Sequence, residues 1–269
     1  MSEQRQVYLM GEGSAEQERL AILSDIYEQG SVRFLRSQLP PDAKTVLDIG
    51  CGHGQMSCWL GREYPSMQVI GGDSSGSQLH ICDQLLKAGN LSNVRFENLN
   101  LMDTWQDRQQ VDVLYARYVL MHIPDWNSAF ANMLTVCRAG GSILLEEPGF
   151  PFVSYPAHDS LNKANEWGQA LTKKMGMRFD CIEPLWSYVH GLDGVAVDHW
   201  AFDQPFFSDA YRKSLLWRSF MVIMDPLVAS GMAARNEVEK VLSDLKMIAV
   251  NPFYVVGALR MIQLHLVKL

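Results

Sequence analysis

Long apolar runs are missing from this 269-residue sequence, and no segment reaches the length of a membrane-spanning helix. Basic clusters are missing too. Lys and Arg number 23 against 30 Asp and Glu, the net charge is −7, and no Lys/Arg run could follow a phosphate backbone. Nucleic acid is therefore not expected as a substrate. Cysteine is sparse: Cys51, Cys58, Cys82, Cys137 and Cys181 form no C-x-x-C pair. Their odd number and scatter fit free thiols in a reducing cytoplasm. No His/Cys/Asp/Glu cluster has metal-ligand spacing, so no metal is expected. Met1 to Arg5 lack the apolar run that opens a signal peptide. No internal repeat or low-complexity tract interrupts the chain. What is present is 48% hydrophobic, enough for a sizeable core, and the length suits one domain with an inserted cap. The oligomeric state stays open, a monomer or a homodimer.

The most informative stretch is Thr45 to Gly54, a short β-branched run followed by glycines at positions 50, 52 and 54. Thr45–Ile49 reads as a strand covered on both faces. The alternating glycines remove every Cβ that would keep a ligand off the backbone. Gln55–Glu63 then has helical spacing, with Met56, Trp59 and Leu60 on one face. Such a turn presents backbone N–H groups at the C-terminal edge of a parallel sheet, where open α/β folds bind ligands. A second strand, Gln68–Gly72, leads into Asp73, whose carboxylate can accept both ribose hydroxyls of a nucleoside. A third, Val94–Asn98, is followed by the polar Asn100. The pattern predicts a nucleoside site. A dinucleotide site wants G-x-G-x-x-G, and Gln55 stands where its third glycine is required.

The turn G-x-G-x-G preceded by Asp48 resembles motif I of the class I S-adenosylmethionine (SAM)-dependent methyltransferases, of the small-molecule subgroup. Other landmarks follow in the family's order. Asp73 matches its ribose-binding acid, and Asn100 and Leu101 fall where it holds the adenine. Asp112–Arg117 matches its fourth strand, His122–Asp125 the segment after it, and Gly140–Pro148 the turn and fifth strand. Many members carry an acid where this chain has Asn100; an Asn carbonyl accepts the same bond. The resemblance implies an α/β fold, a Rossmann-like doubly wound, mostly parallel seven-stranded sheet with an antiparallel last strand. It also implies an N-terminal helical lid and an inserted helical cap. The bounds it suggests are 1–40 for the lid, 41–207 and 255–269 for the core, and 208–254 for the cap over the substrate cavity.

Within that likeness, Gly50, Cys51 and Gly52 should approach the methionine half of the cofactor through their backbone. Asp48 is expected to organise the turn through backbone N–H groups or to meet the cofactor's amino group. Ser74 and Gln78 could line the adenine side. Arg117 lies where the family places groups near the methionine carboxylate, with a structural salt bridge as the alternative. Tyr8 belongs to the lid and could close over the sulfonium; Arg19 reads as a solvated helix residue. The candidates for a general base are His122 and Glu147, with His158, Tyr155 and His199 behind them. Glu146 and Glu147 point to opposite faces at strand spacing, so one of the two can face a ligand.

Helices are expected over Glu16–Tyr27, Ser31–Gln38, Ser77–Ala88, Trp126–Cys137, Ser160–Met175, Ser208–Met224 and Asn236–Val250. Further strands are expected over Val111–Ala116, Ser142–Glu146, Val195–Phe202 and Met261–Lys268. Aromatic and methionine side chains are dense after Pro148, among them Trp167, Trp217, Phe220 and Met221, and a subset could line an apolar acceptor pocket. The expected activity is methyl transfer from SAM to an O, N or C nucleophile of a small molecule. A non-catalytic SAM-binding protein and an NAD(P)-dependent oxidoreductase are the alternatives.

Overall fold

The computed structural model describes residues 14–269; Tyr8 lies outside the described residues. Ten strands and nine α-helices follow one another there. The strands are β1 (Thr45–Ile49), β2 (Gln68–Asp73), β3 (Val94–Asn98), β4 (Val111–Arg117), β5 (Cys137–Gly149), β6 (Val153–Tyr155), β7 (Val195–Asp203), β8 (Phe206–Phe207), β9 (Val255–Gly257) and β10 (Arg260–Lys268). The helices are α1 (Ser14–Gln38), α2 (Gln55–Glu63), α3 (Gly76–Gly89), α4 (Trp126–Val136), α5 (Asp159–Lys174), α6 (Ile182–His190), α7 (Ala210–Lys213), α8 (Leu215–Ala229) and α9 (Arg235–Val250). They divide into two units. One comprises residues 30–148, 180–203 and 261–269; the other comprises the described residues up to Gln29 with 149–179 and 204–260.

The first unit holds a seven-stranded sheet in the order β3-β2-β1-β4-β5-β10-β7. β1 lies between β2 and β4 and is parallel to both, with Leu47 opposite Ile70 on one side and Leu114 on the other. The chain therefore leaves β1 in one direction first and returns to build the other side. The crevice at that reversal, beyond the C-terminal end of β1, is where such sheets bind ligands. β10 runs antiparallel to β7, with Leu264 opposite Trp200. Val46, Leu47, Val69, Val113, Leu114, Ile143 and Leu144 are buried, as strands covered on both faces require. Each such side chain contributes about 1.5–3 kcal/mol by leaving water.

Local chemistry sets the ends of the helices around this sheet. Ser75 caps α3 by accepting from the Gln78 N–H, and Asp125 caps α4 by accepting from Asn127 and Ser128. Three elements on and around this sheet differ from the sequence expectation. The first two helices are one, because Gly30 continues α1 in place of ending it. A Cβ at Gly30 would lie 2.1 Å from a carboxylate oxygen of Asp203, so close approach to β7 explains a glycine that costs the helix about 1 kcal/mol. β5 begins at Cys137, five residues before Ser142, and its start is irregular at Gly140, where φ is +67°. α6 was not expected at all; it buries Leu185 and Val189 and sets Tyr188 against Phe130 and Trp126.

The second unit carries a small antiparallel sheet, β6-β9-β8, with Ser154 and Phe207 both opposite Val256. Strands of two or three residues are too short for alternation to announce them. The helix expected over Ser208–Met224 is divided at Ser214 into α7 and α8, and α8 runs on to Ala229 through Pro226. Lys213, at the division, is buried and donates to the carbonyls of Asn251 (2.7 Å) and Tyr254 (3.2 Å) beyond the end of α9. Arg19 is also corrected. It is 5% exposed and forks onto Glu16 with contacts of 2.9 and 2.7 Å, an i,i+3 pair inside the helix.

Candidate functional site

The turn after β1 has three glycines in the left-handed region: Gly50 (φ +69°), Gly52 (+54°) and Gly54 (+74°). Their surroundings differ. A Cβ at Gly50 would stand 2.4 Å from Val119 Cγ2, and one at Gly54 would stand 2.5 Å from the Phe96 ring. At Gly52 nothing lies within 4 Å. Gly50 and Gly54 are thus glycines because the protein is packed against them. Gly52 faces open space.

The N–H groups of Gly50, Cys51, Gly52 and Gly54 are not held out to a ligand, contrary to the sequence expectation. Gly50 and Cys51 both donate to the Gly72 carbonyl, at 2.7 and 3.1 Å, and Gly54 donates to the Cys51 carbonyl. Gly52 donates to Asp73 Oδ2 at 2.9 Å. These bonds lash the turn to the end of β2, since buried backbone donors must be paired somewhere.

Asp73 is the joint. Its Oδ1 accepts from the Ser75 N–H (2.8 Å) while its Oδ2 holds Gly52. Burial raises its pKa, and the Ser75 and Gly52 N–H groups pull the other way. A carboxylate offers about four lone-pair positions, so both oxygens retain acceptor capacity. Ser74 is exposed and its carbonyl accepts from Asn98. Gln78 is different: its Oε1 is buried and has no hydrogen-bond partner among the described residues. A buried acceptor left unmade costs about 1–3 kcal/mol, which a ligand donor would recover. Leu99 donates its N–H to the Asp73 carbonyl and brings the next loop alongside. There the Asn100 Oδ1 accepts from Met102 N–H at 2.9 Å, and Leu101 is buried with its carbonyl accepting from Asn132.

Acids and one arginine gather under the ends of β1, β4 and β5. Asp48 makes its short bond to the Ser57 hydroxyl of α2, at 2.6 Å, and not to the turn's N–H groups. Burial pushes its pKa up to about 6, with the Ser57 bond and the Arg117 charge opposing. Arg117 donates to Ser31 of α1 at 3.0 Å. Burial works against its charge, but Tyr115, Glu146 and Asp48 outweigh that and its pKa rises. Glu146 accepts from the Tyr115 hydroxyl and from Gln263 (2.8 Å).

Glu147 is 0% exposed. Its carboxylate accepts from three successive N–H groups, Val119 (2.9 Å), Leu120 (2.7 Å) and Met121 (3.3 Å). Burial raises its pKa to about 7 against those three donors. The segment so held begins with Tyr118, a bulky residue at φ +59°, and ends in the short 3-10 turn Leu120–His122. Left-handed backbone at a residue of this size is an outlier of the kind that gathers at functional sites. His122 is partly buried and donates its N–H to the Val119 carbonyl.

The structure thus joins Gly52 to Asp73, sets Asn100 and Leu101 after the strand beside it, and ties Glu147 to the segment bearing His122. Three other candidates have places of their own. His158 caps α5 through Nδ1, Tyr155 is exposed on β6, and His199 lies on the edge strand β7. Ser57, Tyr118, Val119 and Cys82 were missed. For Ser57 a signal existed: a hydroxyl in the first turn of a helix that packs back on a strand carrying a buried acid. No group of three or more His, Cys, Asp or Glu suited to a metal stands together among the described residues. No described helix is long and apolar enough to cross a membrane.

Residues 46–141 match the family model described as "Methyltransferase domain". Trans-aconitate 2-methyltransferase of Azoarcus sp. (strain BH72) is 30% identical over 119 residues, 44% of this chain and 45% of that protein. The chain spans about half the length of the curated relatives it matches. Among solved structures, the cyclase SpnF is 19% identical with a TM-score of 0.57, over 90% of this chain and 80% of that one. Geranyl diphosphate C-methyltransferase from Streptomyces coelicolor A3(2), solved with Mg2+, geranyl diphosphate and S-adenosyl-L-homocysteine, is 12% identical with a TM-score of 0.55, over 96% and 85%. These two likenesses concern the fold. The chain has the class I methyltransferase fold, and its residues 46–141 match the methyltransferase-domain family model.

Proposed function

We propose that the protein is a SAM-dependent methyltransferase acting on an O, N or C nucleophile of a small molecule. The observation that carries this reading is the junction of Gly52 and Asp73. One carboxylate, fixed by two backbone donors, keeps acceptor capacity beside a turn residue whose Cα faces open space. A ribose diol satisfies that carboxylate. The buried, unpartnered Gln78 Oε1 calls for a donor, and an adenine amino group is one. Asn100 retains one lone pair on Oδ1 and Leu101 offers an apolar wall; with Ser74 they are assigned to the adenine side. Gly50, Cys51, Gly52, Asp48 and Arg117 are assigned to the methionine half, Arg117 facing its carboxylate. The domain match over residues 46–141 and the nucleoside in the Streptomyces structure support the same cofactor.

When bound, SAM supplies a methyl group already activated by its sulfonium. The chain's own residues have to orient the acceptor, exclude water and hold a proton. Positioning of this kind is worth roughly 7–11 kcal/mol in favourable cases. We assign proton acceptance to His122 and give Glu147 the task of holding residues 119–121, since its oxygens are engaged by backbone. The relative's name makes trans-aconitate one member of the acceptor panel. The five free cysteines support the cytoplasm as the compartment.

The test uses SAM labelled in its methyl group and a panel of hydroxyl, amine and carboxylate acceptors. Wild type labels at least one of them. His122→Ala keeps SAM affinity within about twofold and slows turnover by about 10²–10⁴, the usual worth of a positioned base. Unchanged turnover in that variant removes His122 from the role. The cyclase among the structural neighbours favours a second reading, because one fold serves unrelated chemistries. A SAM-binding protein without transfer would bind the cofactor, label nothing and be indifferent to changes at His122 and Glu147.

A further inference from the structure

We propose that Cys51 and Cys82 form an oxidation site: a peroxide joins them as a disulfide, and the linkage closes the cofactor site to its ligand. The closure rests on the cofactor reading above; the linkage itself does not.

Cys51 belongs to the glycine turn and is partly exposed, whereas Cys82 is buried near the end of the second turn of α3. Both thiols reach the same atom, the Gly52 carbonyl oxygen, Cys82 at 3.1 Å and Cys51 at 4.0 Å. Cys82 also heads the groups that raise the Cys51 pKa. An atom added at Gly54 would stand 3.0 Å from Cys82 Sγ. Disulfides need Cβ atoms about 3.5–4.5 Å apart, and a turn built on glycines can supply small adjustments. Cys137 and Cys181 are occupied elsewhere, with the Ser142 carbonyl and with Glu147. Cys58 is the remaining competitor, and the charge of Cys82 is felt there.

The chemistry balances with hydrogen peroxide as oxidant. The Cys51 sulfur attacks one peroxide oxygen, the O–O bond breaks, and the thiol proton leaves with the other oxygen as water. Cys82 then attacks the resulting sulfenic sulfur, and the hydroxyl leaves with the Cys82 proton as a second water. Two thiols give up two electrons to one peroxide. The rate is set by the thiolate fraction. The Cys82 thiol, burial and the Asp48 carboxylate all hold Cys51 protonated, so oxidation is slow at neutral pH and quickens in alkali. Once formed, the bridge removes the Cys82 S–H from the Gly52 carbonyl and pins residue 51 to α3. Gly52 lies between, and its N–H comes off Asp73.

The full chain is reduced, exposed to graded hydrogen peroxide, digested without reductant and mapped by mass spectrometry. Calorimetric titration with SAM is run before exposure, after it, and after added dithiothreitol. We expect a peptide linking Cys51 to Cys82, a loss of SAM affinity of at least about tenfold, equivalent to 1.4 kcal/mol, and recovery with the thiol. Cys82→Ser should keep its own starting affinity through the same exposure. Absence of the linked peptide, linkage of Cys58 in its place, or a bridge that leaves affinity unchanged overturns the proposal. A reduced protein that does not bind SAM overturns the cofactor reading and the closure together, while the mapped peptide still decides the oxidation site.

Discussion

Asp73→Ala should lower SAM affinity by about 100-fold and leave the fold standing. A hydrogen bond to a charged acceptor is worth about 1.5–3 kcal/mol, and two ribose hydroxyls lose theirs together. A deficit of about 3 kcal/mol is about two decades in Kd. The protein's own loss is smaller. Gly52 and Ser75 donate to Asp73, both donors are only partly buried, and water can replace the carboxylate at each. Net bonds of that kind are worth about 1 kcal/mol. Titration calorimetry reads the first effect and a thermal melt reads the second. Unchanged affinity would remove Asp73 from the ribose. Loss of the cooperative melt would make it a structural residue.

The glycine turn yields the second large effect, as a contrast between two neighbours. Gly54→Ala should destabilise the protein by about 3 kcal/mol, the sum of a left-handed alanine and overpacking against Phe96. Gly52→Ala meets no atom, so its cost is the left-handed strain alone, about 1–2 kcal/mol. Its larger consequence is on binding, because the new methyl group occupies the space assigned to the cofactor. The expected pattern is a crippled melt with Gly54→Ala and a near-normal melt with SAM affinity down at least tenfold in Gly52→Ala. Equal affinities in wild type and Gly52→Ala would mean that the open space beside residue 52 is not where the ligand lies.

Much of this unit was legible in the chain because its strands are short apolar runs ended by punctuation. Thr45–Ile49 stops at Gly50 and Gln68–Gly72 stops at Asp73, so strand, turn and acid announced themselves. What escaped was set by partners far along the chain. Gly30 reads locally as a helix end, yet Asp203, on the other side of the sequence, is what makes it a glycine inside a helix. The turn's N–H groups read as ligand donors until the Gly72 carbonyl is found beneath them. Asp48 was matched to those donors or to the cofactor's amino group, and Ser57, nine residues on, takes one of its oxygens. The neighbouring acids Glu146 and Glu147 do face opposite sides, but both are committed, one to Tyr115 and Gln263 and the other to residues 119–121. Alternation foretells which way a side chain points. It does not foretell that a buried acceptor will already have its donors.

The space beside Gly52, Asp73 and Gln78 is assigned to the nucleoside of SAM. Calorimetric titration of the purified protein with SAM, S-adenosylhomocysteine and NADH tests this assignment most directly. Saturable binding of the two sulfur nucleosides and none of NADH is the expected result. Binding of NADH alone would contradict it and return Gly50 to Gly54 to the dinucleotide class.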